Sequence, residues 1–301
     1  MALDVSAMTA QTALISDKLI TKAIANSATA QMLISSGNYQ AGVKSQEAVL
    51  KMSANVTVQS GANCGRNPLD STVFGEAILK VAPLKSNDNI CAKTFYATYL
   101  QAAISKGQVD ESIDSTIIEQ ITAKKIEAIA SVNEKLLWNG DTAALPATGL
   151  QFIDGIRKQA KVGNTALTLV GADTLARLQS AFLQANVDIK HDEDFYIFVS
   201  EQVYDEYLMN LANRNVFQPT DSNKLFGSTG KIFVAPGLNG SREIFMGKQE
   251  NIQLGIDGEG DSQYAKLKYS DETDSWYLDF AWSIGVKVIY PEEFAFAVLA
   301  A

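Results

Sequence analysis

The clearest alternation in the chain lies near its end. Trp276, Leu278, Phe280, Trp282, Ile284, Val286, Val288 and Tyr290 occupy eight consecutive even positions, with Asp279, Ser283, Gly285 and Lys287 among the residues between them. A period of two over this length predicts a single half-buried strand, closed by Pro291. At about 3.3 Å per residue such a strand reaches roughly 50 Å, enough to connect two parts of a fold. Gly285 is the expected place for a bend or bulge.

The period changes over residues 112–139. Ile118, Ile121, Ile129, Val132 and Leu136 follow helical spacing, with Lys125 interrupting the stripe. Thr116 and Glu119 fit a capping box, and Asn139-Gly140 is a stop signal. This predicts a spine helix of roughly 40 Å at 1.5 Å per residue. Leu175, Leu178, Ala181, Phe182 and Ala185 predict a helix over about 172–185. Val203, Tyr207, Leu208 and Leu211 predict another over about 201–212. Short strands are expected at Phe195–Val199 and from Phe233, the latter followed by a turn at Pro236–Gly240. Together these predict a compact α/β or α+β unit from about 163 to 262.

The first third is patterned weakly. Ile15, Leu19, Ala23, Ala28 and Met32 form a faint helical stripe in an Ala/Ser/Thr-rich stretch, which predicts an arm with one short helix docked on something else. Val56 and Val58 alternate with polar residues, Gly61–Pro68 is turn-rich, and Val73–Val81 resumes a strand pattern that Pro83 ends. This is a hairpin whose loop runs to about a dozen residues, long enough to suggest a functional loop.

Composition narrows the chemistry. Of 301 residues, 47% are hydrophobic and 20% charged, which predicts a globular chain. There are 25 Lys+Arg against 34 Asp+Glu, and a net charge of −9 argues against a general nucleic-acid binder. The charge is uneven: residues 1–110 carry 9 basic and 7 acidic groups, and the remainder carries 16 and 27. One histidine, His191, and two cysteines, Cys64 and Cys91, exclude a single-chain Cys/His zinc site and leave any Ser-His-Asp or Cys-His unit dependent on His191. The cysteines are two free thiols or one disulfide, a choice that spacing leaves open. Asp17, Lys18 and Lys22 interrupt the only candidate leader, and the longest apolar run, Phe294–Ala301, has eight residues where a span needs about 20. A soluble, cytoplasmically made protein with no membrane partner is expected.

Three motifs suggest chemistry and fail on detail. Gly227–Lys231 resembles the end of a phosphate loop, but Leu225 replaces the first glycine and Ile232 the hydroxyl residue. Asp257–Asp261 would need a glutamate at 268 to act as a calcium loop, and Lys268 stands there. His191 lies in a charged linker with no neighbouring nucleophile motif. No catalytic residue, cofactor or metal site is expected. The remaining signals are architectural, and extended arms generally serve neighbouring copies.

The order of elements resembles the major capsid proteins of tailed bacteriophages, with the Hong Kong 97-like fold. The segments that carry the likeness are Asn133–Asp141, Thr148–Leu150 and Phe152–Ile156, then Phe195–Leu211 leading to Leu225-Phe-Gly and Phe233–Gly237, and finally Trp282–Ala295. The resemblance implies an α+β chain divided into an N-arm (1–38), an E-loop (39–84), a P-domain (85–162 and 278–301) and an A-domain (163–277). It implies interface residues at the E-loop tip, Arg66, Asn67 and Asp70, and on the N-arm, Ile15, Leu19 and Met32. It further implies hexamers and pentamers closing an icosahedral shell around double-stranded DNA without sequence-specific binding. Portal and scaffolding or decoration proteins would be partners, and the virion capsid, assembled in the bacterial cytoplasm, the location. An encapsulin-type nanocompartment shell shares the fold and is the alternative. A carboxylate-dependent hydrolase is the remoter one.

Overall fold

A computed structural model describes residues 24, 26–60, 68–91, 115–214, 223–257, 264–270, 273 and 275–299. The elements in chain order are α1 (Ala28–Ser35), β1 (Tyr39–Ala41), β2 (Gln46–Asn55), β3 (Ser71–Lys80), β4 (Ala82–Cys91), α2 (Ser115–Asn139), α3 (Ile156–Ala160) and α4 (Thr174–Gln184). They continue with β5 (Phe195–Val199), α5 (Glu201–Asn213), β6 (Lys231–Val234), β7 (Glu243–Lys248), β8 (Ile252–Ile256), β9 (Tyr264–Ser270), β10 (Ser275–Val288) and β11 (Ala295–Val298).

Two cores organise these elements. The first sheet runs β1-β8-β10-β4, with β9 also paired to β10. Against it lies the spine helix α2, whose Ile126, Ile129, Leu136, Leu137 and Trp138 share a core with Leu278, Phe280, Trp282, Ile284, Val286 and Val288 of β10. From Leu278 to Val288 the even-numbered stripe read from the sequence is therefore the core face of β10. The second sheet runs β11-β7-β5-β6. Helices α4 and α5 cover it, burying Leu178, Phe182, Val203, Tyr207 and Leu211 against Phe195, Ile197 and Ile244. Both helices start on side-chain caps. Asp173 accepts from the Ala176 amide at 2.9 Å, and Ser200 accepts from the Val203 amide at 3.4 Å.

Several expectations shift. The spine, helices α4 and α5 and strand β5 lie within a few residues of their predicted spans. Val56 and Val58 fall after β2 and stand in solvent, because the hairpin's first strand starts ten residues earlier, at Gln46. Pro83 sits inside β4, opposite Ser283, where an edge strand tolerates a missing N–H. Strands β8 and β9, placed by sequence in the 163–277 unit, pair with β10, whereas β11 from the C-terminal segment pairs with β7. The two cores thus exchange strands at a boundary that local pattern does not mark. Gly285 is not a bulge. Registers run unbroken through it, Ile284↔Ile256, Gly285↔Gly255 and Val286↔Leu254. It faces Gly255 because the chain between β3 and β4 crosses there. A Cβ on Gly285 would stand 2.0 Å from the Lys80 carbonyl oxygen, and one on Gly255 2.7 Å from a Val81 methyl.

Candidate assembly surface

The hairpin β2–β3 leaves the body at this crossing. Its root is held by Val43, Leu79 and Val81, which form a small separate core. Beyond the root the two strands pair in register from Gln46↔Lys80 to Asn55↔Ser71. Directly paired residues share a face, so Ala48, Leu50 and Met52 stand beside Ile78, Glu76 and Phe74. That face is turned outward: Leu50 is 66% exposed, Phe74 65%, Met52 53% and Ile78 46%. Four large exposed apolar side chains on one face of a two-stranded ribbon, interrupted by Glu76, make the kind of surface that marks an interaction site. Leu69, Val56 and Val58 extend the apolar character toward the tip.

Of the predicted tip residues, Asp70 is described and Arg66 and Asn67 lie outside the described residues. Asp70 Oδ1 accepts from the Thr57 amide at 2.8 Å, so it tethers the two ends of the connection. The exposed ladder itself was missed by sequence reading. Its signal was present as Leu50, Met52, Phe74 and Ile78, but nothing local says which face of a hairpin is covered.

Helix α1 is fastened to the spine. Glu134 on the spine is buried and accepts three hydrogen bonds from the start of α1. They come from Ser27 Oγ at 2.5 Å, the Thr29 amide at 3.0 Å and Thr29 Oγ1 at 2.5 Å. Trp138 Nε1 donates to the same Thr29 hydroxyl at 2.7 Å. A carboxylate at a helix N-terminus satisfies its free amides and its positive dipole end together. Met32 is half-buried against the first core of its own chain, and its carbonyl accepts from Gln249 Nε2 at 2.9 Å. Ile15 and Leu19 lie outside the described residues.

The remaining charged groups form clamps between elements. Glu243 on β7 takes Arg157 Nε at 2.6 Å, Arg157 Nη2 at 3.0 Å and Lys161 Nζ at 2.8 Å, all from around α3. Burial pushes the Glu243 carboxyl up, and the two cations outweigh it, leaving it below its ordinary value. Arg242 holds Glu206 bidentately, at 2.6 and 2.8 Å, and that carboxyl is likewise held low. Lys158 bridges Asp141 and Asp154 and lowers the first; burial pushes the Asp154 carboxyl up, but Lys158 and the Thr142 hydrogen bonds outweigh it and leave it low. These are shifts toward permanent charge, suited to ion pairing and opposite to what a general acid needs. Burial raises the Glu293 carboxyl, which accepts from Asn251 Nδ2 at 3.2 Å. His191 is exposed, with Nδ1 3.1 Å from Thr229 Oγ1. Residues 227–230 form a turn leading into Lys231, the first residue of β6, with Gly227 at φ +77°. Among the described residues no group of three or more His, Cys, Asp or Glu side chains is placed to hold a metal, and no helix is long and apolar enough to cross a membrane.

No protein-family model matches the sequence, and no curated protein sequence does. Solved structures match. The satellite phage P4 procapsid including size determination (Sid) protein contains a chain similar at TM-score 0.61 and 13% identity, over 93% of this chain and 89% of that one. A chain from Gordonia phage Cozz matches at TM-score 0.56 and 13% identity, over 89% of this chain and 86% of the other. A virus-like particle from Pyrococcus furiosus matches at TM-score 0.52 and 12% identity, over 94% and 99%. At these identities the likeness establishes the fold. This chain is folded as phage capsid proteins are, in agreement with the resemblance carried by its element order.

Proposed function

We propose that this chain is the major capsid protein of a tailed bacteriophage, assembling through hexamers and pentamers into a shell around double-stranded DNA. The observation that carries the reading is the hairpin. Its largest apolar side chains stand exposed, on a chain whose fold is that of capsid proteins. A ribbon of two strands is marginal in water on its own, so a covering partner explains both its length and its composition. In this reading residues 39–84 are the E-loop, residues 1–38 the N-arm, and 85–162 with 278–301 the P-domain around the spine. Residues 163–277 are the A-domain. Subunit contacts of modest strength add by multivalency around a closed shell. The acidic balance fits a shell that encloses DNA without gripping it.

A second reading, the encapsulin-type compartment, is favoured by the likeness to the Pyrococcus furiosus particle. Electron microscopy of the expressed chain tests both against a monomeric role. Closed shells or capsomer rings are expected, and only monomers at high concentration would refute either shell. Enclosed nucleic acid in particles from the native source distinguishes the first reading, and an enclosed protein cargo the second. Deleting residues 61–71 should leave a folded subunit that assembles poorly. Normal shells from that deletion would remove the E-loop assignment.

A further inference from the structure

The outward face of the hairpin is aimed by one contact far from its root. Tyr290 follows the end of β10, in a turn that is firmly bound. Asn251 Oδ1 accepts from the Tyr290 amide at 2.5 Å, Asn251 Nδ2 donates to the Tyr290 carbonyl at 2.7 Å, and Asn164 Nδ2 donates to the Pro291 carbonyl at 2.6 Å. From this turn the Tyr290 hydroxyl reaches the middle of β2. It accepts from the Met52 amide at 3.0 Å and donates to the Met52 carbonyl at 3.1 Å.

Both backbone groups of a strand residue point to the same side, so those of Met52 face away from β3. Met52 and Phe74 are therefore a non-hydrogen-bonded pair, the kind in which opposite side chains stand closest. The phenol takes the place that one residue of a further strand would take on the β2 edge. It does so at the residue whose side chain, with Phe74, forms the rung of the exposed ladder farthest from the root. Lys51, on the opposite face of the ribbon, completes the contact. Its Nζ lies 4.7 Å from the Tyr290 ring centroid and 2.5 Å from Glu292 Oε1.

We infer that Tyr290, with Lys51 and Glu292, is the positioning device that fixes the angle at which the Leu50–Met52–Phe74–Ile78 face meets a second copy of this chain. The inference rests on the shell reading, in which the second copy is the neighbouring subunit. The root alone cannot set this angle. Its core holds three buried side chains at one end of the ten-residue strands, and a two-stranded ribbon twists easily. A hydrogen-bonded anchor halfway along removes that freedom before assembly, which lowers the ordering cost of the contact.

The test is Tyr290→Phe in the full chain, with Lys51→Met and Lys51→Arg beside it. Hydrogen exchange on the unassembled subunit should show the Met52 amide opening roughly tenfold faster in Tyr290→Phe, the scale of one lost hydrogen bond. Amides of the Leu79–Val81 root should be unchanged. Assembly should become slower and the particles more variable in size at an unchanged melting temperature. Lys51→Met should share the assembly defect and Lys51→Arg should restore it, because arginine keeps both the cation over the ring and the partner for Glu292. Unchanged Met52 exchange in Tyr290→Phe would overturn the latch. Faster exchange with wild-type particles would overturn its positioning role. If the wild-type chain forms no shells, the shell reading fails separately, while the exchange measurement still reports on the latch.

Discussion

Strand β5 with its partner β7, and the hairpin β2–β3, are built from the same kinds of residue and end in opposite environments. Phe195, Ile197, Phe198 and Val199 are buried, as are Ile244, Phe245 and Met246 opposite them. Helices cover one face of that pair and the first core covers the other, so Phe198 packs on Trp138 at 5.3 Å while Ile197 joins the α4–α5 core. On the hairpin, Leu50, Met52, Phe74 and Ile78 share a face with Glu76 and stand exposed among the described residues. The difference teaches that an apolar face marks a demand for cover, and the chain's own topology decides whether that demand is met internally. Where it is not, a partner is implied.

Substitutions sharpen this contrast in stages. The largest loss is expected at Gly285→Val, which forces a side chain into the Lys80 carbonyl where the hairpin crosses the sheet. Because the clash is with backbone, the cost should exceed the usual 1–3 kcal/mol of overpacking, as read by denaturant unfolding. A variant as stable as wild type would show that the crossing is loose. Phe198→Ala should cost about 3–5 kcal/mol, the cost of truncating a fully buried aromatic residue. Phe74→Ala, an identical change on the hairpin, should cost less than about 0.5 kcal/mol in the isolated subunit and weaken assembly instead. Equal costs at the two positions would break the comparison.

Glu243→Ala should cost about 2–3 kcal/mol, because it leaves Arg157 and Lys161 without their carboxylate at a junction between the two cores. The pH dependence has a definite sign. The folded carboxyl titrates below its ordinary value, so its contribution is complete above the ordinary glutamate range. It is lost as pH falls from about 4.3 through the depressed folded value. Glu243→Gln should flatten the acid limb of the stability curve in that window, and an unchanged limb would show that other carboxylates dominate it. The smallest effect is expected from Lys124→Ala. Its ion pair with Glu127 is exposed on the spine, and stability should stay within the error of a melting curve.

The elements most legible in the sequence were those whose environment is uniform along their length. The period of β10 exposed its core face because six even positions from Leu278 to Val288 all enter one core. The spine, α4 and α5 declared themselves by helical spacing, and Asp173 and Ser200 stand at the starts of α4 and α5 as capping residues should. Less legible were β4, β7 and β8, short or mixed strands whose partners lie tens of residues or more away, and β9, which pairs with the neighbouring β10. The hairpin was half legible. Its turn-rich loop and returning strand were clear, but β2 carries Gln46, Glu47, Lys51 and Ser53 among its apolar residues and gives no clean alternation.

The candidate surface divides in the same way. Asp70 was placed at the hairpin tip by the family resemblance, and in the structure it accepts from the Thr57 amide across the connection. Met32 lay on the faint stripe, and it packs on its own body. Tyr290 and Glu134 were not found. Tyr290 looks like the last member of the β10 stripe, and Glu134 looks like one more acid on a long helix. Each gains its role from a residue more than 100 positions away.

By itself the sequence determined the local grammar: a long helix, an over-long strand, a looped hairpin, and too few histidines and cysteines for a single-chain Cys/His zinc site. Those features depend on neighbours within a few turns or pleats, so periodicity records them. Tertiary structure alone decided which apolar faces are covered, why Gly285 must be glycine, how the two cores exchange β8, β9 and β11, and where the hairpin is pinned. These depend on which distant segments meet. Burial is a property of the assembled packing, and no single stretch of chain carries it.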